Sequence, residues 1–187
     1  MKKVVLFFAV AIAAFSANAQ VKFGAKAGIN IAKLGGDVSN VDSKVGFVGG
    51  VNAQIGLSEA FAIQPEVLYS MEGAKSGSSK LNLDYINVPV LVKYTIPGTK
   101  GLGVYAGPQI GFLASAKSKS GSTTTDIKSQ LKSTNFSGAF GAEYTFMECF
   151  VLSARYQAGF SDISKSTGSV KSNAFQITVG YTFGGKK

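Results

Sequence analysis

The stretch Gly101-Leu-Gly-Val-Tyr-Ala-Gly-Pro-Gln-Ile-Gly-Phe-Leu-Ala-Ser-Ala116 contains no charged residue. Its even positions are Leu102, Val104, Ala106, Pro108, Ile110 and Phe112; its odd positions are Gly103, Tyr105, Gly107, Gln109 and Gly111. A strict two-residue period of this kind places apolar side chains on one face of a β-strand and small or polar ones on the other. The fold therefore depends on what lies on each side.

The same alternation recurs along the chain. It predicts eight strands near 22–33, 46–57, 61–71, 83–94, 102–114, 136–145, 150–159 and 174–183. Each has about ten to thirteen residues, which matches the ~9–11 that a tilted strand needs to cross a hydrocarbon layer. No comparable segment repeats apolar residues at helical spacing, so no substantial helix is expected. Three connections are short: 58–60, the turn at Pro97-Gly98, and 146–149. Four are longer and rich in Ser, Gly, Lys and Asp: 34–45, 72–82, 115–135 and 160–173. Short turns alternating with long loops are the pattern of membrane barrels, with both termini on the short-turn side.

Charge placement tests that pattern. With parity set by the apolar residues alone, Lys26, Glu66, Lys93, Glu143 and Arg155 all fall on the other face. A basic residue on a lipid face costs roughly 2–4 kcal/mol at mid-depth, which accounts for the exclusion. A soluble, lipocalin-like barrel has the same period with its faces exchanged. Composition separates the two. About one polar-side position in seven is charged and many are Gly, Ala or Ser, against the ~25–35% charged residues of a soluble surface. Such a face suits the interior of an eight-stranded barrel, which side chains alone can fill. The expected fold is all-β, an eight-stranded antiparallel up-and-down transmembrane barrel. Tyr94, Tyr144, Tyr156, Tyr181 and Phe183 would form its aromatic girdle. Pro65, Pro89 and Pro108 fall in strand interiors, where each removes a ladder donor, so bulges or local kinks are expected there.

The N-terminus reads as an export signal. Met1-Lys2-Lys3 precedes an apolar run from Val4 to Phe15, and Ala17-Asn18-Ala19 supplies small residues for cleavage after Ala19. Residues 1–19 would be removed and 20–187 would form the barrel domain. Without Lys2 and Lys3, seventeen basic residues remain against ten acidic ones. An exported chain has little occasion to meet nucleic acid, so phosphates of a surface glycolipid are the better match for this charge. The lone Cys149 forms no internal disulfide.

With the strands placed, the chain resembles the outer-membrane β-barrel family widespread in Bacteroidetes, often labelled porin family or PorT-like. The resemblance is carried by Gln64-Pro-Glu-Val-Leu-Tyr69, Tyr85-Ile-Asn-Val-Pro-Val-Leu-Val-Lys-Tyr94, Tyr105-Ala-Gly-Pro-Gln-Ile-Gly-Phe-Leu113 and Arg155-Tyr-Gln-Ala-Gly-Phe-Ser-Asp-Ile163. It implies an outer-membrane location in a Gram-negative bacterium, periplasmic termini, extracellular loops and no shared reaction. The barrel-assembly machinery is an implied partner. Tyr181-Thr182-Phe183 supplies the aromatics that machinery reads, although Gly184-Gly185-Lys186-Lys187 follows them.

The candidate site is the lumen. Lys26, Glu66, Lys93, Glu143 and Arg155, with Asn52, Gln64, Gln109 and Gln157 as partners, would form either a sealed hydrogen-bonded plug or the filter of a narrow channel. A second candidate is the basic patch Lys117, Lys119, Lys128 and Lys132 in the third long loop, able to attract surface phosphates. The chain has no histidine, which removes the usual general base and the commonest metal ligand. Glu66 and Glu143 as an acid–base pair, Cys149 as a nucleophile, and Asp37 with Asp42 as a calcium pair are each weak, and Gly101-x-Gly103 lacks a dinucleotide fingerprint. No enzyme, cofactor or metal is expected. The reading is a small outer-membrane barrel acting structurally or through four long extracellular loops, on membrane lipid, surface glycolipid or an extracellular partner. A narrow solute or ion channel is the first alternative, and a secreted soluble barrel binding an apolar ligand the second.

Overall fold

A computed structural model describes residues 21–36, 41–77, 79–165 and 169–183. The expected signal segment lies outside the described residues, as do Asp37 and the tail after Phe183. Eight long strands form the barrel: β1 (Val21–Gly36), β2 (Asp42–Gly56), β3 (Phe61–Ser76), β4 (Ser79–Thr95), β5 (Leu102–Ser120), β7 (Thr134–Phe146), β8 (Phe150–Gly159) and β9 (Val170–Phe183). A ninth strand, β6 (Thr123–Asp126), is a short hairpin partner at the end of β5 and is followed by a 3-10 turn, Lys128–Gln130. Every barrel strand pairs antiparallel with its neighbours in the sheet. The β1–β9 and β4–β5 pairings close the cylinder and leave no barrel strand with an open edge.

The parity expected from sequence holds on all eight strands. Facing outward are Phe23, Ile29, Val51, Val67, Val92, Val104, Phe112, Phe140, Leu152, Ile177 and their alternate neighbours. Phe23, Val51, Phe136 and Phe183 each stay 54–57% exposed. A closed apolar belt of this extent needs hydrocarbon around it, since a water-soluble monomer rarely exposes such a surface. At the short-turn end the belt finishes in contacting rings. Tyr144, Phe146, Phe150, Tyr181 and Phe183 follow one another with centroids 5.1–6.5 Å apart, and Phe61 meets Tyr94 at 4.9 Å. Tyr156 departs from the expected girdle: it packs on Phe140, well above that rim.

Two expectations need correction. The connections at the far end are not four long loops, because the strands continue into them. β3 runs to Ser76 and β4 starts at Ser79, so the expected loop 72–82 is a tight hairpin. β5 continues to Ser120 and turns into β6. Backbone pairing goes on above the belt because polar outward residues there face water, while alternate residues still fill the interior. The prolines also do not produce bulges. Pairing lapses at Glu66–Val67 opposite Val88–Pro89, and at Val90–Leu91 opposite Gly107–Pro108, then resumes in unchanged register. The register shifts fall elsewhere, between Ser43 and Val48 and between Asp84 and Tyr85. The glycines of β5 are not equivalent. A Cβ at Gly111 would strike the Asn87 side chain and one at Gly103 would crowd the Tyr94 carbonyl, whereas one at Gly107 would strike the β4 backbone at Val90 O and Leu91 Cα. Gly107 allows β4 and β5 to approach beside the proline.

Candidate functional site in the barrel lumen

Strand alternation sends Lys26 (β1), Gln64 and Glu66 (β3), Lys93 (β4), Tyr105 (β5), Glu143 (β7), and Ser153 and Arg155 (β8) into one cross-section near the short-turn end. Glu66 is its centre. Its Oε1 accepts hydrogen bonds from Lys26 Nζ at 2.5 Å, Gln64 Nε2 at 2.8 Å and Arg155 Nη2 at 3.0 Å. Its Oε2 lies 2.8 Å from Arg155 Nη1. The guanidinium of Arg155 also sits 5.1 Å from the Tyr105 ring centroid, and its Nε donates to the Tyr105 hydroxyl at 3.4 Å. That hydroxyl is 2.6 Å from Ser153 Oγ. Beside this group Lys93 pairs with Glu143, and Lys93 Nζ donates to Gln54 Oε1 at 3.3 Å.

All five expected charges thus engage one another, and each is at least nine-tenths buried at its side chain. Ions taken out of water are tolerated only with such partners. The layer is packed: the cavity beside it, lined by Lys26, Asn52, Gln54, Gln64, Glu143 and Ser153 among others, measures about 20 Å³. That is room for about one water molecule.

The remaining expected residues lie elsewhere in the lumen. Asn52 borders the small cavity without joining the ion pairs. Gln109 donates to Ser137 Oγ at 3.2 Å. Gln157 belongs to a second polar layer built on Glu72, a residue the sequence reading placed in a loop. The Glu72 carboxylate accepts from Asn87 Nδ2 at 3.1 Å, Gln157 Nε2 at 3.4 Å and Ser172 Oγ at 2.6 Å. Lys44, also assigned to a loop, is buried and donates to the Glu72 backbone carbonyl at 2.9 Å. The overlooked signal was the continuing period Ser70, Glu72, Ala74, all buried.

Above Glu72 the interior turns apolar. Leu34, Ala74, Leu83, Tyr85, Leu113, Ala116 and Ile163 form a core cluster against which Ile127 and Leu131 pack. Two connections clasp over it: Lys132 N donates to Ile163 O at 2.8 Å and Lys165 N to Gln130 O at 3.2 Å. The expected loop patch is divided by this arrangement. Lys128 donates to the Ala114 carbonyl at 2.8 Å and Lys132 lies in the connection over the mouth, whereas Lys117 and Lys119 stand on β5. Among the described residues no three His, Cys, Asp or Glu side chains cluster as metal ligands, and Glu66 and Glu143 are each held by cations. The lumen is filled first by ion-paired side chains and then by an apolar cluster.

Comparison with known proteins agrees with this architecture. A family model described as an outer membrane protein beta-barrel domain matches residues 4–183. No curated protein sequence matches the chain. Among solved structures, neisserial surface protein A is similar with a TM-score of 0.62 at 17% identity, covering 86% of this chain and 97% of that one. Ail, the attachment invasion locus protein of Yersinia pestis, is similar at 0.56 and 17% identity, covering 87% and 98%. Ail in complex with the heparin analogue sucrose octasulfate gives 0.55 at 17% identity, covering 87% and 99%. At these identities the likeness is one of fold.

Proposed function

Because the chain belongs to the outer membrane protein beta-barrel family, we propose that it is a sealed barrel that works at the cell surface and neither conducts solutes nor turns over a substrate. It resides in the outer membrane of a Gram-negative bacterium, with termini periplasmic and the strand extensions extracellular. The observation that carries the proposal is the double obstruction of the lumen: the Glu66–Arg155–Lys26 and Lys93–Glu143 layer, and the apolar cluster above it. An eight-stranded barrel has little interior to spare, and here what there is holds packed side chains. The extracellular end carries Lys33, Lys75, Lys80, Lys117, Lys119, Lys128, Lys132, Lys165 and Lys171. An anionic surface partner suits that charge, and the binding of a sulfated saccharide analogue by Ail, a protein of like fold, supports the same class.

The same reading takes residues 1–19 as a cleaved export signal, the barrel-assembly machinery as the insertion partner, and the PorT-like proteins as the branch of the family to which the chain falls. Purified protein inserted into a planar bilayer should give no resolvable open level at either polarity. A stable single-channel step, lost when Arg155 is replaced, would establish the channel alternative instead.

A further inference from the structure

We propose that the outward face of the extracellular β3–β4–β5 extension is a binding site for the phosphates of an outer-leaflet glycolipid, built by Lys75, Lys80, Lys117 and Lys119. The proposal deepens the surface-interaction reading above and rests on it. Lys75 on β3 stands directly opposite Lys80 on β4, and Lys80 directly opposite Lys119 on β5. Residues paired in this way share a face with Cβ atoms ~4.5–5.5 Å apart. Three lysines therefore form one row across three strands, and Lys117 stands on the same face two residues along β5.

Like charges placed directly opposite are destabilising, and nearby positions avoid it. Asp42 lies across from Lys75 and Asp126 across from Lys117. Those acids flank the row but do not enter it. Lys80 has only Lys75 and Lys119 as its cross-strand neighbours; Lys119 has Lys80 and Thr124. Among the described residues, no salt bridge involves any of the four lysines. Lys80 and Lys119, at the centre of the group, are therefore the positive charges that have no acidic residue across from them.

Its direction and height identify the ligand. Lys80, Asn82 and Asp84 continue the outward parity of Ile86 and Val88, while Leu83 and Tyr85 are buried inside. The irregularity opposite Asp84 and Tyr85 shifts the parity of β5, so that Ala116 is buried and Lys117 and Lys119 join the outward side. The lysines thus project sideways from the barrel, toward whatever stands beside it in the membrane. A soluble partner would meet the mouth first. Lys80 lies six residues beyond Ile86, the last apolar outward residue of β4, and its partner Lys75 four beyond Met71, the last on β3; at ~3.3 Å per residue and ~40° of tilt the row stands about 10–15 Å above the belt. The polar zone of a phospholipid leaflet is only ~5–7 Å deep. A phosphate at the height of the row must be carried on sugars, as in a large glycolipid headgroup.

The test uses the full mature barrel in phosphatidylcholine nanodiscs, either plain or containing a lipopolysaccharide with phosphorylated core sugars, native or phosphatase-treated. Unfolding temperature is read from the mobility of unboiled samples. The native glycolipid should raise it for wild type and for the periplasmic-turn control K100Q, and the treated glycolipid should not. The K80Q/K119Q variant should lose most of that shift, while in plain nanodiscs it should be at least as stable as wild type because repulsion is relieved. A full shift retained in K80Q/K119Q would overturn the site. A shift produced by soluble sucrose octasulfate but not by the glycolipid would overturn the lipid as its source. Absence of heat-modified mobility in plain nanodiscs would sink the barrel reading beneath it.

Discussion

Glu66 binds two cations at once, and this makes it the most consequential side chain in the lumen. Replacing it by Gln leaves Lys26 and Arg155 buried with no carboxylate between them. Removing one partner of a buried ion pair costs about 3–5 kcal/mol, so E66Q should unfold at markedly lower denaturant, as measured by loss of the fast unboiled band. The Lys93–Glu143 pair gives the control. K93Q and E143Q alone should each be destabilised, and the double variant much less, because no lone charge remains. A loss in the double equal to the sum of the two single losses would show that neither charge depends on the other. The five charges were legible in the sequence because a lipid face excludes them. Their pairing was not: Lys26 and Glu66 are 40 residues apart and Glu66 and Arg155 are 89, and the stagger of the closed barrel decides which of them meet.

Among the elements, the strands were legible within the membrane and misjudged above it. Inside the belt the requirement for apolar residues at every second position is severe, and it fixes parity on all eight strands. Beyond the belt both faces accept polar residues, so Glu72-Gly73-Ala74-Lys75-Ser76 looks like loop although it continues β3. Glu72 and Lys44 were missed for that reason. Even the described residues of the β8–β9 connection are organised. Ser169 Oγ donates to Asp162 Oδ1 at 2.5 Å, and Ile163 N donates to Val170 O at 2.9 Å. The Ser169 hydroxyl is the main cause that holds the Asp162 carboxyl below its usual range, with Lys132 and Lys171 adding to it. A carboxyl lowered in the folded loop favours that fold above its ordinary value of ~3.9, and the contribution fades as pH falls through the lowered value. The carboxyl carbon of Asp162, followed by NMR, should therefore titrate below that of a free aspartate. In S169A it should move back toward the ordinary value; a titration unaltered by S169A would remove the hydroxyl as the cause.

For the whole molecule, the two obstructions stand in series, and each has its own physical basis. In the sealed-barrel reading proposed above, the lower layer blocks by occupancy and fixed charge, since its side chains are held to one another. The upper cluster blocks by dewetting, because Leu34, Leu83, Leu113 and Ile163 give water no partner. A barrel serving as a gated channel would concentrate its resistance in one movable element, and the clasp between the β5–β7 and β8–β9 connections is the natural candidate. Replacing Ile163 and Leu131 by Asn wets that element without touching the ion pairs. If the obstructions act in series, I163N/L131N should remain folded by mobility shift and stay silent in a planar bilayer, because the Glu66 layer still fills the lumen. If the variant conducts, the clasp is a gate, the ion-paired layer is permeable, and Arg155 and Lys26 line a path through which an anion would be the favoured passenger.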